Sequence, residues 1–415
     1  MTQKIGQKIR RRTVLGMMGV AALARPYIAR AADDVEIAML VPLSGPWAEQ
    51  GILEKAGAEM SVDDINQAGG IKSLGGAKVK LLSIDTGSTA ETAKDAAQRM
   101  ISQNPNLAGG FGCWLSTFTL AATEITERAE LPWLTLSYSD AITDRGFKYV
   151  FQSSPTANVQ AEQIVPYLMK LDKEATGKTA AKAAFIGDNT AASVSFMKPI
   201  RDHVLKDQHL EAVVDQVYTP PLADATAIVQ PVRSAKPDFV LLQSTNNGDD
   251  KILLDTFTQY GMPATKLALV GNGGHWVVPE LLKTTGKEGL QDVLVGLANW
   301  PGKAVDDVAS RYVKRSGNPW FGHNEIFAYA HLQIFAWAAD KAGSADRHKV
   351  ADAIRTMDIT DGPAKFFPGS HLKFDEKGRR VDAQLVIVQW QDGKPVTVFP
   401  EEMAVAKPVW PSLAG

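Results

Sequence analysis

Residues 35–51 read VEIAMLVPLSGPWAEQG, and the fold follows from how that passage is built and how often its pattern returns. The first seven residues are apolar with one interruption, too short for a helix, and they stop at Pro42. Runs of this kind, apolar on both faces, belong to parallel sheets. A loop of small residues follows, and residues 52–66 then carry apolar side chains at helical spacing. Further strands are expected at 78–84, 107–111 and 133–136, with helices at 89–102 and 117–129 between them. Gly69-Gly70 closes the first helix, and Thr89 stands at the start of the second.

Outward from this first β-α-β-α series, a second begins after Tyr149-Val150-Phe151. Strands are expected at 183–186, 213–218, 239–242, 267–270 and 293–297. They alternate with helices at 159–171, 195–206, 225–234 and 251–260. The tail supplies helices at 306–314, 326–342 and 349–357 and a strand at 384–390. The expected fold class is α/β, with two doubly wound parallel-sheet lobes in tandem.

The first 31 residues differ from all of this. Lys4, Lys8, Arg10, Arg11 and Arg12 make a basic start, residues 13–24 a mildly apolar run, and Ala29-Arg30-Ala31 a small-x-small end. This is the layout of a bacterial export signal, with cleavage expected near Ala31. Arg11-Arg12 followed by Val14-Leu15 resembles the twin-arginine motif. The bland alternative is a basic amphipathic helix. No cysteine stands near the cleavage point, so no lipid anchor is expected. Residues 1–31 hold seven basic and no acidic side chains, leaving 37 Lys and Arg against 46 Asp and Glu, a net charge near −9. A surface of that sign repels phosphate backbones and argues against nucleic-acid binding. Cys113, the single cysteine, permits no internal disulfide or cysteine-built metal site. Among Gly109, Gly110, Phe111, Gly112 and Trp114 it reads as a small buried apolar residue.

With this organisation in place, several motifs resemble the leucine/isoleucine/valine-binding family of type I periplasmic binding proteins. Pro42-Leu43-Ser44-Gly45-Pro46, with Gly51, is similar to that family's first strand-to-helix loop. Asn66-Gln67-Ala68-Gly69-Gly70-Ile71 and Asp85-Thr86 resemble its first helix end and second strand end. Leu131-Pro132-Trp133 before Ser137-Tyr138-Ser139, and Phe374-Asp375-Glu376-Lys377-Gly378, complete a series that runs in order from about residue 35 to about 400. The resemblance implies lobes joined by a multi-crossing hinge with a ligand cleft between them. Lobe 1 would comprise 33–152 plus 301–378, and lobe 2 would comprise 153–300 plus 379–405. It also implies capture of a small polar solute (an amino acid, an amide, or an aromatic or aliphatic carboxylate) and delivery to an ABC-type membrane permease. The expected protein is periplasmic, monomeric and without a cofactor.

Ligands of open parallel sheets sit beyond the carboxyl ends of the strands. The loops to inspect are 43–51, 112–117, 137–141, 187–193, 243–248, 271–276 and 298–301. At 112–117 a strand passes into a helix whose first N–H groups suit an anionic oxygen. Ser116 there is either a helix cap or a donor to a carboxylate. Ser137, Tyr138 and Ser139 occupy the place where family members present hydroxyl and backbone groups. Trp47, Trp114 and Trp300 fall in cleft loops, where an aromatic covers an apolar ligand face or simply belongs to the core. Asp188, Thr245, Asn246 and Asn272 follow second-lobe strands and are candidates to close on the ligand or to be ordinary loop residues.

Two departures from the family pattern bear on the ligand. Where relatives that bind amino acids often place an acid, this chain has Gly273, which cannot pair with an α-ammonium group; Asp188 is the candidate substitute. Gln50 stands near the place of the family's first-loop tyrosine. An enzyme is disfavoured, because the chain has no Gly-x-Ser-x-Gly, His-Glu-x-x-His or phosphate-loop motif. His275 is the only histidine expected at a cleft loop, with His323, His331 and His348 read as surface or core. A soluble ligand-sensing protein of the same fold remains the alternative.

Overall fold

The computed structural model describes Met1, Thr2 and residues 34–411. The export-signal reading of residues 1–31 lies outside the described residues.

The first sheet is built by β1 (Val35–Val41), β2 (Val79–Asp85), β3 (Gly109–Gly112), β4 (Trp133–Thr135) and β5 (Val150–Gln152), in the order β2-β1-β3-β4-β5 with every pair parallel. Its connections are α1 (Ala48–Gln67), α2 (Ala90–Gln103) and α3 (Ser116–Arg128). Thr89 caps α2: its hydroxyl accepts from Thr92 N while the Thr92 side chain answers to Thr89 N, a reciprocal capping box. Cys113 is buried.

The second sheet follows through α4 (Ala157–Thr176), β6 (Lys182–Asp188), α5 (Ala191–Pro199), α6 (Leu205–Asp207), β7 (Glu211–Tyr218), α7 (Thr226–Ala235), β8 (Phe239–Gln243), α8 (Asn247–Gln259), β9 (Ala268–Asn272), α9 (Pro279–Leu290) and β10 (Leu294–Leu297). Between α5 and α6 the chain makes a π turn at Ile200–Val204. It follows Pro199, which has no N–H to continue the regular ladder.

The chain then returns to the first sheet with α10 (Asp306–Ser316), α11 (His323–Ala342) and α12 (Arg347–Arg355), whose apolar faces join the first sheet's core. A small ribbon of β11 (Asp358–Ile359) and β12 (Leu372–Lys373) follows. Last come β13 (Val386–Gln391) and β14 (Lys394–Phe399), which extend the second sheet to the order β14-β13-β10-β9-β8-β6-β7.

Four features differ from the sequence reading. The second sheet is mixed, since β13 runs antiparallel to β10 and β14 antiparallel to β13. Its last strand was not anticipated, although Asp392-Gly393 is a hairpin signal: both residues take positive φ, 53° and 78°, as a two-residue primed turn requires. The strand β5 and the helix α9, opened by Pro279, were also not anticipated. No helix among the described residues is long and apolar enough to cross a membrane.

Candidate functional site

The carboxyl ends of both sheets face one cavity. Its first wall is Trp114, Leu115 and Ser116 after β3 and Leu136, Ser137 and Tyr138 after β4. Its second wall is Ala192 of α5, Gln243, Ser244 and Thr245 after β8, and Asn272, Gly273, Gly274 and His275 after β9. The space between the walls is about 360 Å³, and the walls stand close together. At Gly274 an added Cβ would lie 2.4 Å from the His323 ring, so only glycine allows this approach of the two lobes.

Hydroxyls hold the first wall in shape. Ser116 is the first residue of α3, and the preceding Leu115 occupies the cap position. The Ser116 Oγ instead accepts from the main-chain N–H groups of Tyr138 and Ser139, both at 3.1 Å. Ser137 Oγ donates to the Trp114 carbonyl at 2.7 Å and accepts from Thr135 Oγ1 at 3.0 Å. The two loops are thus tied to each other, while the hydrogen of Ser116 Oγ is left for another acceptor. Trp114 sits at φ 64°, a left-handed conformation that a bulky side chain adopts only when its surroundings impose it. Tyr138 reaches His323: His323 Nδ1 donates to the Asn299 carbonyl at 3.2 Å, and its Nε2, 3.0 Å from Tyr138 Oη, accepts the phenolic proton. Burial keeps this histidine neutral by lowering its pKa to about 4.

The second wall is backed by acids that face away from the cavity. Asp188 Oδ1 accepts from Thr190 N (2.9 Å) and Thr190 Oγ1 (2.7 Å), and its Oδ2 accepts from Thr245 Oγ1 (2.5 Å). Burial raises its pKa to about 6 against the opposing effect of these donors. Asp250 accepts from Ser244 Oγ and lies 3.6 Å from His275 Nε2. Burial, with His323 adding to it, lowers the His275 pKa to about 3, so the imidazole on the cavity wall is neutral. Asn272 Nδ2 donates to Gln160 Oε1 and Gln243 Oε1 at 3.0 and 2.9 Å. Among the described residues, no Asp, Glu, Lys or Arg lines the cavity.

Of the residues picked from sequence, Trp114, Ser116, Ser137, Tyr138, Thr245 and Asn272 line this cavity. The others lie elsewhere. Trp47 packs edge-on against Phe118 with ring centroids 5.4 Å apart, and Trp300 is buried in the second lobe's core. Asn246 caps α8, its Oδ1 accepting from Asp249 N. Ser139 pairs with Ser195 at 3.0 Å, Gln50 bonds to Asn247 and Asn324, and Asp188 is turned into its own lobe. Leu136, Ala192, Gln243 and Ser244 were not singled out; each lies in or next to a loop named by the strand-end rule. His323 was read as an ordinary core or surface histidine, and its link to Tyr138 had no signature in the sequence.

Comparison with known proteins places this geometry in a family. The family model for periplasmic binding proteins matches residues 34–395. The chain is 30% identical over 402 residues to the Leu/Ile/Val-binding protein homolog 7 of Brucella suis, covering 94% of this chain and 97% of that one. Among solved structures, it is similar in fold to a branched-chain amino acid transporter substrate binding protein from Streptococcus pneumoniae in complex with isoleucine. That match has a TM-score of 0.74 at 19% identity and covers 88% of this chain and 100% of that one. A fatty acid ABC transporter substrate-binding protein from Thermomonospora curvata aligns with a TM-score of 0.74 at 20% identity, covering 92% and 95%. Two α/β lobes with a cavity at their strand ends, and a family match across nearly the whole described chain, lead to one conclusion: the chain belongs to the type I periplasmic binding proteins of the leucine/isoleucine/valine-binding family.

Proposed function

We propose that this chain captures a small organic carboxylate without a free α-ammonium group and hands it, unchanged, to an ABC-type importer. The observation that carries this reading is the cavity wall, which among the described residues offers no acid to an ammonium group. Gly273 has no side chain to give, and Asp188 is engaged by three donors of its own lobe. A carboxylate, by contrast, meets the spare hydroxyl hydrogen of Ser116 and the N-terminal turn of α3, where the helix dipole favours negative charge. Trp114, Leu115, Leu136 and the neutral His275 suit the apolar remainder of such a molecule. Relatives of this fold include proteins named for fatty acids as well as for branched-chain amino acids, so the architecture accommodates acids with and without an amine. On the path of the chain through the two sheets, we take lobe 1 as 33–152 plus 301–378 and lobe 2 as 153–300 plus 379–405.

A matched pair of ligands tests this. Leucine and 4-methylpentanoate share a carbon skeleton and differ in the ammonium group. Titration calorimetry is expected to give at least about tenfold tighter binding of 4-methylpentanoate, the size of effect that an unpaired buried charge imposes. Tighter binding of leucine would overturn the ligand assignment. Mass spectrometry of the recovered ligand should show it unaltered, since a converted product would make the protein an enzyme. The same method applied to intact protein from the periplasm should show loss of about the first 31 residues. A full-length cytosolic species would remove the export reading.

A further inference from the structure

Four hydrogen bonds join the two walls of the cavity by a path that stays within the protein. Trp114 Nε1 donates to Asn324 Oδ1 at 3.0 Å, and Asn324 Nδ2 donates to Gln50 Oε1 at 2.8 Å. Gln50 Nε2 then donates to Asn247 Oδ1 at 2.5 Å, and Asn247 Nδ2 donates to the His275 carbonyl at 2.7 Å. Trp114, Asn324 and Gln50 come from elements of the first sheet, Asn247 and His275 from elements of the second. Gln50 and Asn324 are buried.

The direction of this chain is fixed at both ends. An indole N–H only donates, and a main-chain carbonyl only accepts. Each amide between them must therefore turn its oxygen toward Trp114 and its nitrogen toward His275. Turning any one over would set two donors or two acceptors face to face. The helices aim the central pair. Gln50 lies in the opening turn of α1, and Leu53 of that helix is packed in the second lobe's core. Asn247 is the first residue of α8, placed by the Asn246 cap. The cross-lobe hydroxyl pair of Ser139 and Ser195 lacks this directionality, since each Oγ can donate or accept, whereas Trp320 Nε1 makes a second directional link by donating to the Val277 carbonyl at 2.9 Å.

We propose that Gln50 and Asn247 are a closure latch, positioning residues that hold the lobes together and keep Trp114 and His275 facing across the cavity without touching the captured molecule. The proposal rests on the reading of the chain as a two-lobed binding protein. No atom of the latch comes from a ligand, so the latch stabilises the closed form whether or not the cleft is filled. Removing Asn247 leaves the buried Gln50 amide without its acceptor, and removing Gln50 does the same to the buried Asn324, which places the loss at the upper end of what one hydrogen bond contributes.

Single-molecule energy transfer between dyes on exposed sites of the two lobes, with no ligand added, reads the closed-to-open ratio directly. Gln50→Ala and Asn247→Ala are each expected to lower that ratio about fivefold to tenfold. The double variant should lose less than the product of the two single losses, because the singles share the Gln50–Asn247 bond. Asn247→Asp keeps the acceptor for Gln50 but sets a carboxylate oxygen against the His275 carbonyl, so it too should lower the ratio; it serves if an alanine variant does not fold. An unchanged ratio, additive losses, or a wild type with no closed population would each overturn the latch. Failure of 4-methylpentanoate to bind would remove the ligand assignment and leave this ligand-free ratio to decide the latch on its own.

Discussion

In the first lobe, hydroxyls from Ser116, Thr135 and Ser137 serve main-chain groups of the cavity loops, and one hydroxyl hydrogen remains unused beside a helix N-terminus. In the second lobe, Asp188, Asp249 and Asp250 crowd behind the wall, with both oxygens of Asp188 and one each of Asp249 and Asp250 held by Thr190, Thr245, Leu222 and Ser244. Among the described residues neither lobe lines the cavity with an acid, and the first lobe, with its spare hydroxyl hydrogen, is the one suited to bind a carboxylate. An acid near a cleft becomes a ligand contact only when its oxygens are free and turned inward. Burial adds to this: a carboxyl raised toward neutral pH attracts a cation less than one in water does.

The largest effect that tests this contrast is at Ser116. Ser116→Ala removes the acceptor of two main-chain N–H groups as well as the spare donor. Each stranded N–H costs about 1–3 kcal/mol, so the variant should lose roughly 2–6 kcal/mol of stability in denaturant unfolding. Its affinity for a carboxylate should fall more than about tenfold. A variant as stable as the wild type would mean that Ser116 does not hold the loops together.

Asp188 gives the middle effect, and it depends on pH. Its folded pKa of about 6 lies above the ordinary carboxylate value. The stability linked to this proton is therefore fully present below the unfolded pKa of about 4 and is lost as pH rises through about 6. Asp188→Asn cannot titrate. Wild-type stability minus that of the variant should accordingly drop by up to about 2–3 kcal/mol between pH 4 and pH 7. Carboxylate affinity should stay within about threefold, since this side chain is turned from the cavity. A pH-independent gap would sink the buried-acid account, and a large loss of affinity would restore Asp188 as a ligand contact.

The smallest effect belongs to Trp300, which is buried among second-lobe core residues and lines no part of the cavity. Trp300→Phe should cost on the order of 1–2 kcal/mol of stability through imperfect repacking, with ligand affinity unchanged in calorimetry. Weakened binding at equal stability would put this indole back on the ligand.

The sequence carried most of the fold because its strands are short apolar runs, and such runs have few other places to go. β14 is obscured because Pro395 interrupts its apolar residues, although the Asp392-Gly393 turn marks a hairpin. α9 escaped because Gly286 and Gly289 dilute its apolar spacing. For the site, the strand-end rule found the right loops. It could not say which side chains turn inward, since that depends on partners far along the chain. Gln50 is drawn to Asn324 across 274 residues and to Asn247 across 197. Trp47 and Trp300 look like Trp114 in sequence, and only their packing partners separate them.

The return of the chain to each sheet has a consequence for biosynthesis. Residues 35–152 emerge first and hold every strand of the first sheet, but α11, which packs in its core, is made more than 150 residues later. Likewise β10 gains its antiparallel neighbour β13 only when residues 386–391 have been synthesised. Until then each growing lobe presents an uncovered apolar face or an open strand edge, the surfaces through which chains aggregate. Neither lobe can be finished ahead of the other by translation alone. Folding must therefore wait for nearly the whole chain and bring distant segments together, the slow regime of high contact order.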